Sequence, residues 1–235
     1  MTNKNRVLKI YVQIFYMKND YYWPCVKTVA FDVETTGINR ERDRIIMFGL
    51  FGMDINRKQI SKWAVVDAKT TTGRNPCNLP GVSLYDIKNA KPLETYINDI
   101  YNSLHEAIVI IHNAPHDWAF VVNECKRINH PCPLPRQVIC TYQLARRLRT
   151  STLPVSLDAL CLRLHIPLVV AHNALHDARA AFYLWVVLNN LTIYTKQWNY
   201  EPHCTLAYCS KYFPPRNFDY LPAYFCNKLP FPREV

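Results

Sequence analysis

The order of the apolar runs constrains this chain more than any other feature. Three strand-like stretches come first: "VKTVAFDVE" (26–34), "RIIMFGLFGM" (44–53) and "ISKWAVV" (60–66), the last two joined by a hairpin connection, "DINRKQ". They are rich in β-branched and aromatic residues and bounded by turn chemistry such as "TTG". Beyond them, helical periodicity alternates with single short strands, "AIVII" (107–111) and "QVICT" (137–141). Strands first, then helices alternating with strands, predict a mixed sheet with helices packed on it, an α/β fold.

The helices follow from spacing. Leu93, Ile97, Ile100 and Leu104 recur at helical intervals, with Pro92 near the start, and predict one helix. "PHDWAFVVNECKRI" (115–128) is expected to be helical with Asn113 as its cap, and "LDALCLRL" (157–164) with Ser156 as its cap. A basic helix, "YQLARRLR", lies between them, and a final helix is expected from near Asn173 to near Leu191. Residues 68–90 read as a polar loop. Residues 1–24 read as an extension with one strand, "KIYVQIFY", and residues 196–235 as an aromatic, Pro-rich segment packed across the domain. The central domain is then 25–195.

Composition sets the partner class. A net charge of +10 and a pI near 9.2 suit a polyanion, most often nucleic acid. Arg40, Arg42 and Arg44 in "NRERDR", and Arg146, Arg147 and Arg149 in "ARRLR", are candidate phosphate contacts against the plainer reading of solvated faces. No run is long enough to span a membrane, so no membrane partner is expected. Nine cysteines without a signal-peptide pattern are expected to be reduced thiols in a cytoplasmic or nuclear protein. His203, Cys204, Cys209 and Cys226 lack the paired knuckle of a zinc site and read as scattered residues.

The chemistry sits in four carboxylates. Asp32 and Glu34 are two apart in a strand, so both point to one face and Val33 to the other. Asp117 lies in the first turn of a helix that follows a buried strand, where the helix dipole favours a carboxylate. Asp177 lies in the opening turns of the last helix, beside His176 and after His172. Each alone reads as an ordinary strand-end or helix-start acid. Together they place carboxylates at three strand ends or helix starts, which is where α/β sheets build sites. Clustered acids repel, and a hard divalent cation removes that conflict. Four oxygen ligands and a histidine are the parts of a two-metal phosphodiester hydrolase.

The motifs "FDVETTG" with "DRII", "HNAPHDWAF" and "HNALHDARAA" resemble those of the DnaQ-like, DEDDh family of 3′-to-5′ exonucleases, most of all its proofreading epsilon-type branch. "TYQLARRL" and "SLDALCLRLHI" share the likeness, which covers residue 25 to about residue 190. The resemblance implies an RNase H-like fold, a mixed five-stranded sheet flanked by helices. It implies Asp32, Glu34, Asp117 and Asp177 as ligands of two divalent cations, Mg²⁺ or Mn²⁺, His172 as general base, and Thr35, His112 and Asn113 as substrate-binding residues. It implies a single-stranded 3′ end as partner, DNA ahead of RNA; a polymerase or replication partner is not readable from the sequence. The sequence departs at His116, where the family usually has an aromatic residue, and at Met47, where it often has an acid. A non-catalytic nucleic-acid-binding module ranks below the enzyme, because no ligand is missing.

Overall fold

The computed structural model describes residues 26–69, 75–148 and 154–195. The expected N-terminal strand, the aromatic tail and its Cys and His residues lie outside these. Among the described residues five strands form one sheet: β1 (Thr28–Thr35), β2 (Ile45–Met53), β3 (Gln59–Val65), β4 (Ile108–Ile111) and β5 (Gln137–Cys140). Their spatial order is β3-β2-β1-β4-β5. The hairpins β1–β2 and β2–β3 are antiparallel, and β1–β4 and β4–β5 are parallel. The α-helices of the described residues are α1 (Leu84–Lys88), α2 (Ile97–Leu104), α3 (Ala114–Arg127), α4 (Thr141–Leu148), α5 (Leu157–Leu164) and α6 (Ala174–Thr195). The mixed five-stranded sheet expected from the sequence is present.

Alternation along β1 divides the core. Val29, Phe31 and Val33 face one apolar cluster, which includes Leu93, Ile100, Leu104, Trp118 and Phe120 from the α2 and α3 side. Ala30 faces the other, built with Leu144, Leu160, Ala178, Phe182 and Trp185 from α4, α5 and α6. Asp32 and Glu34 continue the second face, beneath α6. Gly49 in β2 pairs with Asp32. A Cβ at Gly49 would stand 2.2 Å from the Ala174 carbonyl oxygen, so the missing side chain is what lets the first turn of α6 rest on the sheet.

Several local expectations change. The helix read over Leu93–Leu104 breaks at Tyr96 into a 3₁₀ turn, Leu93–Thr95, and α2. The 68–90 loop contains a 3₁₀ turn, Pro76–Asn78, and α1, whose Ser83 and Asp86 form a reciprocal capping box. Asn113 does not cap α3 through its side chain. Its backbone is left-handed (φ 68°), whereas a capping side chain needs extended backbone. Ser156 occupies the N-cap position of α5, but its hydroxyl bonds the Asp158 carboxylate rather than the helix amides. The last helix runs four residues past the expected end, to Thr195.

The chain after β1 is tied down by α3. Glu124, 1% exposed, receives Arg44 through two bonds (Nε–Oε1 2.7 Å, Nη2–Oε2 3.0 Å) and Arg127 Nη1 at 2.9 Å. Arg127 also bonds the carbonyls of Glu41 and Asp43, and Asn123 Nδ2 donates to the Arg40 carbonyl. Arg44 is therefore committed to an internal ion pair, which corrects its reading as a phosphate contact. The five described cysteines, Cys77, Cys125, Cys132, Cys140 and Cys161, are free thiols, and Cys125, Cys140 and Cys161 are buried. No helix among the described residues is long and apolar enough to cross a membrane.

Candidate metal centre

The centre forms where β1 outruns β4. Their parallel pairing ends at Ala30–Ile110, so the Val33 amide has no strand partner on that side. Asp117 takes it: its Oδ1 accepts from Val33 N–H at 3.1 Å. Asp117 is placed there by α3, which begins three residues after β4 ends, following left-handed Asn113 and Pro115 in the first turn. From the other face, α6 brings Asp177. Asn173 precedes α6, and its amide oxygen faces the His176 N–H at 3.4 Å. His172, just before, is left-handed (φ 60°). This aims the His172 and Asn173 amides at the Asp177 carboxylate.

The four acids converge in one electrostatic field. Asp32 is raised well above the usual carboxylate range by burial, then by Asp117, Asp177 and Glu34. Asp117 is pushed up to about 8 by burial, against the pull of the Val33 amide and its own, with Glu34 and Asp177 adding to the rise. Asp177 is pushed up to about 7 by burial and Glu34, against the amides of His172 and Asn173. Ligand atoms of Glu34, His172 and Asp177 all lie within 4.8 Å of one another. Glu34 and Asp177 are buried, and His172 is exposed. A dense set of hard oxygen donors, in which Asp32, Asp117 and Asp177 are disfavoured as anions by burial and by their neighbours, fits a divalent cation.

The remaining expected residues fall around this set. Thr35 Oγ1 donates to the Gly37 carbonyl at 2.7 Å, shaping the turn after β1. Asn113 is exposed at the start of α3. His112 Nδ1 lies 2.9 Å from Thr141 Oγ1, and the ring packs edge-on to Tyr142. Burial depresses it to about 4, so it is neutral near pH 7. His116 packs edge-on to Phe120, filling the place of the aromatic residue with another ring. One residue was missed. Asp158, in the first turn of α5, lies in the field of both His172 and Asp177. Its only signal in the sequence was a first-turn acid after Ser156.

Comparison with known proteins agrees. The RNase_T exonuclease family profile matches residues 29–185. The chain is 28% identical over 172 residues to a DNA polymerase III of PolC type from Oceanobacillus iheyensis, covering 69% of this chain and 11% of that protein. A PolC-type polymerase from Caldanaerobacter subterraneus is 25% identical over 159 residues, again across 11% of its length. The chain thus spans about a tenth of these curated relatives. Among solved structures, exonuclease X in complex with 5′ overhanging duplex DNA superposes with a TM-score of 0.51 at 20% identity, over 70% of this chain and 92% of that one. The nuclease domain of 3′hExo bound to rAMP gives 0.54 at 11% identity, over 74% and 94%. These likenesses support the same fold. With the profile spanning most of the chain, this protein belongs to the RNase_T exonuclease family, which is DnaQ-like.

Proposed function

We propose that the protein is a metal-dependent 3′-to-5′ exonuclease that releases nucleoside monophosphates from single-stranded nucleic acid, DNA ahead of RNA. The observation that carries this reading is the meeting of Asp32, Asp117 and Asp177, each raised by burial and by its neighbours, with Glu34 among them and His172 at the exposed rim. The four acids would hold two divalent cations, Mg²⁺ or Mn²⁺, which when bound would supply Lewis acidity for phosphodiester hydrolysis. His172 accepts the proton of the attacking water and, being exposed, passes it to solvent. The Val33 amide keeps Asp117 in one orientation before substrate arrives. Thr35, His112 and Asn113 are the residues that would seat the 3′ nucleotide.

DNA is favoured because the matched stretch of the PolC-type relatives lies in DNA polymerases, which also supports a replication polymerase as companion. The likeness to a nuclease bound to rAMP keeps RNA as the second reading. The nuclease unit is 25–195, and the free thiols suit a reducing compartment, cytoplasmic or nuclear.

The test is digestion of matched 5′-labelled DNA and RNA oligonucleotides with Mg²⁺, Mn²⁺ or EDTA. Mononucleotide release from a 3′-hydroxyl end, lost in EDTA, is the expected result. Cleavage of a circular single strand would exclude an exonuclease, and faster loss of the RNA would reverse the substrate order.

A further inference from the structure

We propose that the turn Leu79–Val82 is a positioning element for His172, acting through Asn173; this rests on the exonuclease reading above. Asn173 is buried and uses both ends of its amide. The oxygen faces the His176 amide at the start of α6, and Nδ2 donates to the Pro80 carbonyl at 3.0 Å. One side chain thus joins the helix start to a turn 93 residues earlier in the chain.

The turn is built for this contact. Val82 N–H bonds the Leu79 carbonyl at 3.3 Å, with proline second and glycine third at φ +73°, the type II pattern. In that type the central peptide is flipped, which turns the Pro80 carbonyl outward toward Asn173. A Cβ at Gly81 would crowd Asn173 Nδ2 at 3.3 Å, and the positive φ disfavours one in any case. Leu79 and Val82 anchor the turn in a small cluster with Ile46, Met47, Ala68 and Ala174. Met47, fully buried, is the apolar seat of this turn, which accounts for methionine at a position where the family often has an acid. The first turn of α6 is then held between Gly49 and the Leu79–Val82 turn. His172, exposed and left-handed immediately before it, inherits a fixed anchor.

An exposed general base is effective only while it is aimed, and small misplacements are costly. Asn173→Ser keeps a capping oxygen and loses the donor to Pro80. Gly81→Ala disturbs the same contact from the other side. Each is expected to lower kcat about 10- to 100-fold, with KM within about twofold, and neither to lower it further in a His172→Ala background. In the metal-free protein, amide hydrogen exchange over residues 170–176 should rise about tenfold or more in both variants, with β1 and β4 still protected. Unchanged exchange at 170–176, or a kcat loss that persists undiminished without His172, would overturn the proposal. If the wild-type protein shows no divalent-dependent turnover, the exonuclease reading falls, and the exchange comparison still decides whether this turn holds the loop.

Discussion

Asp117 and Glu124 lie two turns apart on α3, both buried, in opposite surroundings. Glu124 meets Arg44 and Arg127, and its oxygens also face the Ile45 amide. Asp117 meets the Val33 amide and three more carboxylates of one site. One acid is satisfied by the fold; the other is left in conflict with its neighbours. The contrast separates an acid that holds structure from one that burial and its neighbours disfavour as an anion.

The largest expected effect breaks the second acid's site. Asp32→Ala or Asp177→Ala should abolish turnover in an oligonucleotide assay. The metal-free melting temperature should hold or rise, because mutual repulsion is relieved. Substantial Mg²⁺-dependent activity in either variant would remove that residue from the ligand set.

Next comes the histidine pair. His172→Ala should lower kcat by roughly 10²- to 10⁴-fold, as for a lost general base, and His176→Ala far less. His176 lies in the first turn of α6 beside Asp177, about 100° around the axis, with its amide on the cap. A larger loss in His176→Ala would reassign the base.

Glu124→Ala attacks the first acid. It strands Arg44 and Arg127 and should cost about 3–5 kcal/mol of stability, read by urea unfolding. A loss of activity without a loss of stability would move Glu124 into the site and end the contrast.

The smallest effect is on pH dependence. An unfolded aspartate releases its proton near 3.8, whereas folded Asp177 and Asp117 keep theirs to about 7 and about 8. Between these values the folded metal-free protein binds more protons than the unfolded chain, so its stability falls as pH rises. Melting temperatures at pH 5.5 should exceed those at pH 8, and Mg²⁺ or Mn²⁺ should flatten or reverse the slope. Metal-free stability that increases over this range would show that the acids are not in mutual conflict.

Much of this was legible along the chain. The period of two in "FDVE" placed Asp32 and Glu34 on one face, and α5 spans the residues its apolar spacing marked out. His172 lies outside the last helix, as its position before Asn173 required. Local steric and periodic preferences suffice for such features, because each depends on residues a few positions apart.

The rest was decided between distant segments. That Asp117 holds the Val33 amide follows from β1 extending past β4, a fact of register. Arg44 looked like a phosphate contact until α3 brought Glu124 beneath it. "LPGV" carries its own turn chemistry, but its partner, Asn173, is 93 residues from Pro80. Periodicity tells a residue which way to face. What it faces is set only when the whole sheet has assembled, because a buried donor or acceptor pairs with whatever group the packing brings within reach.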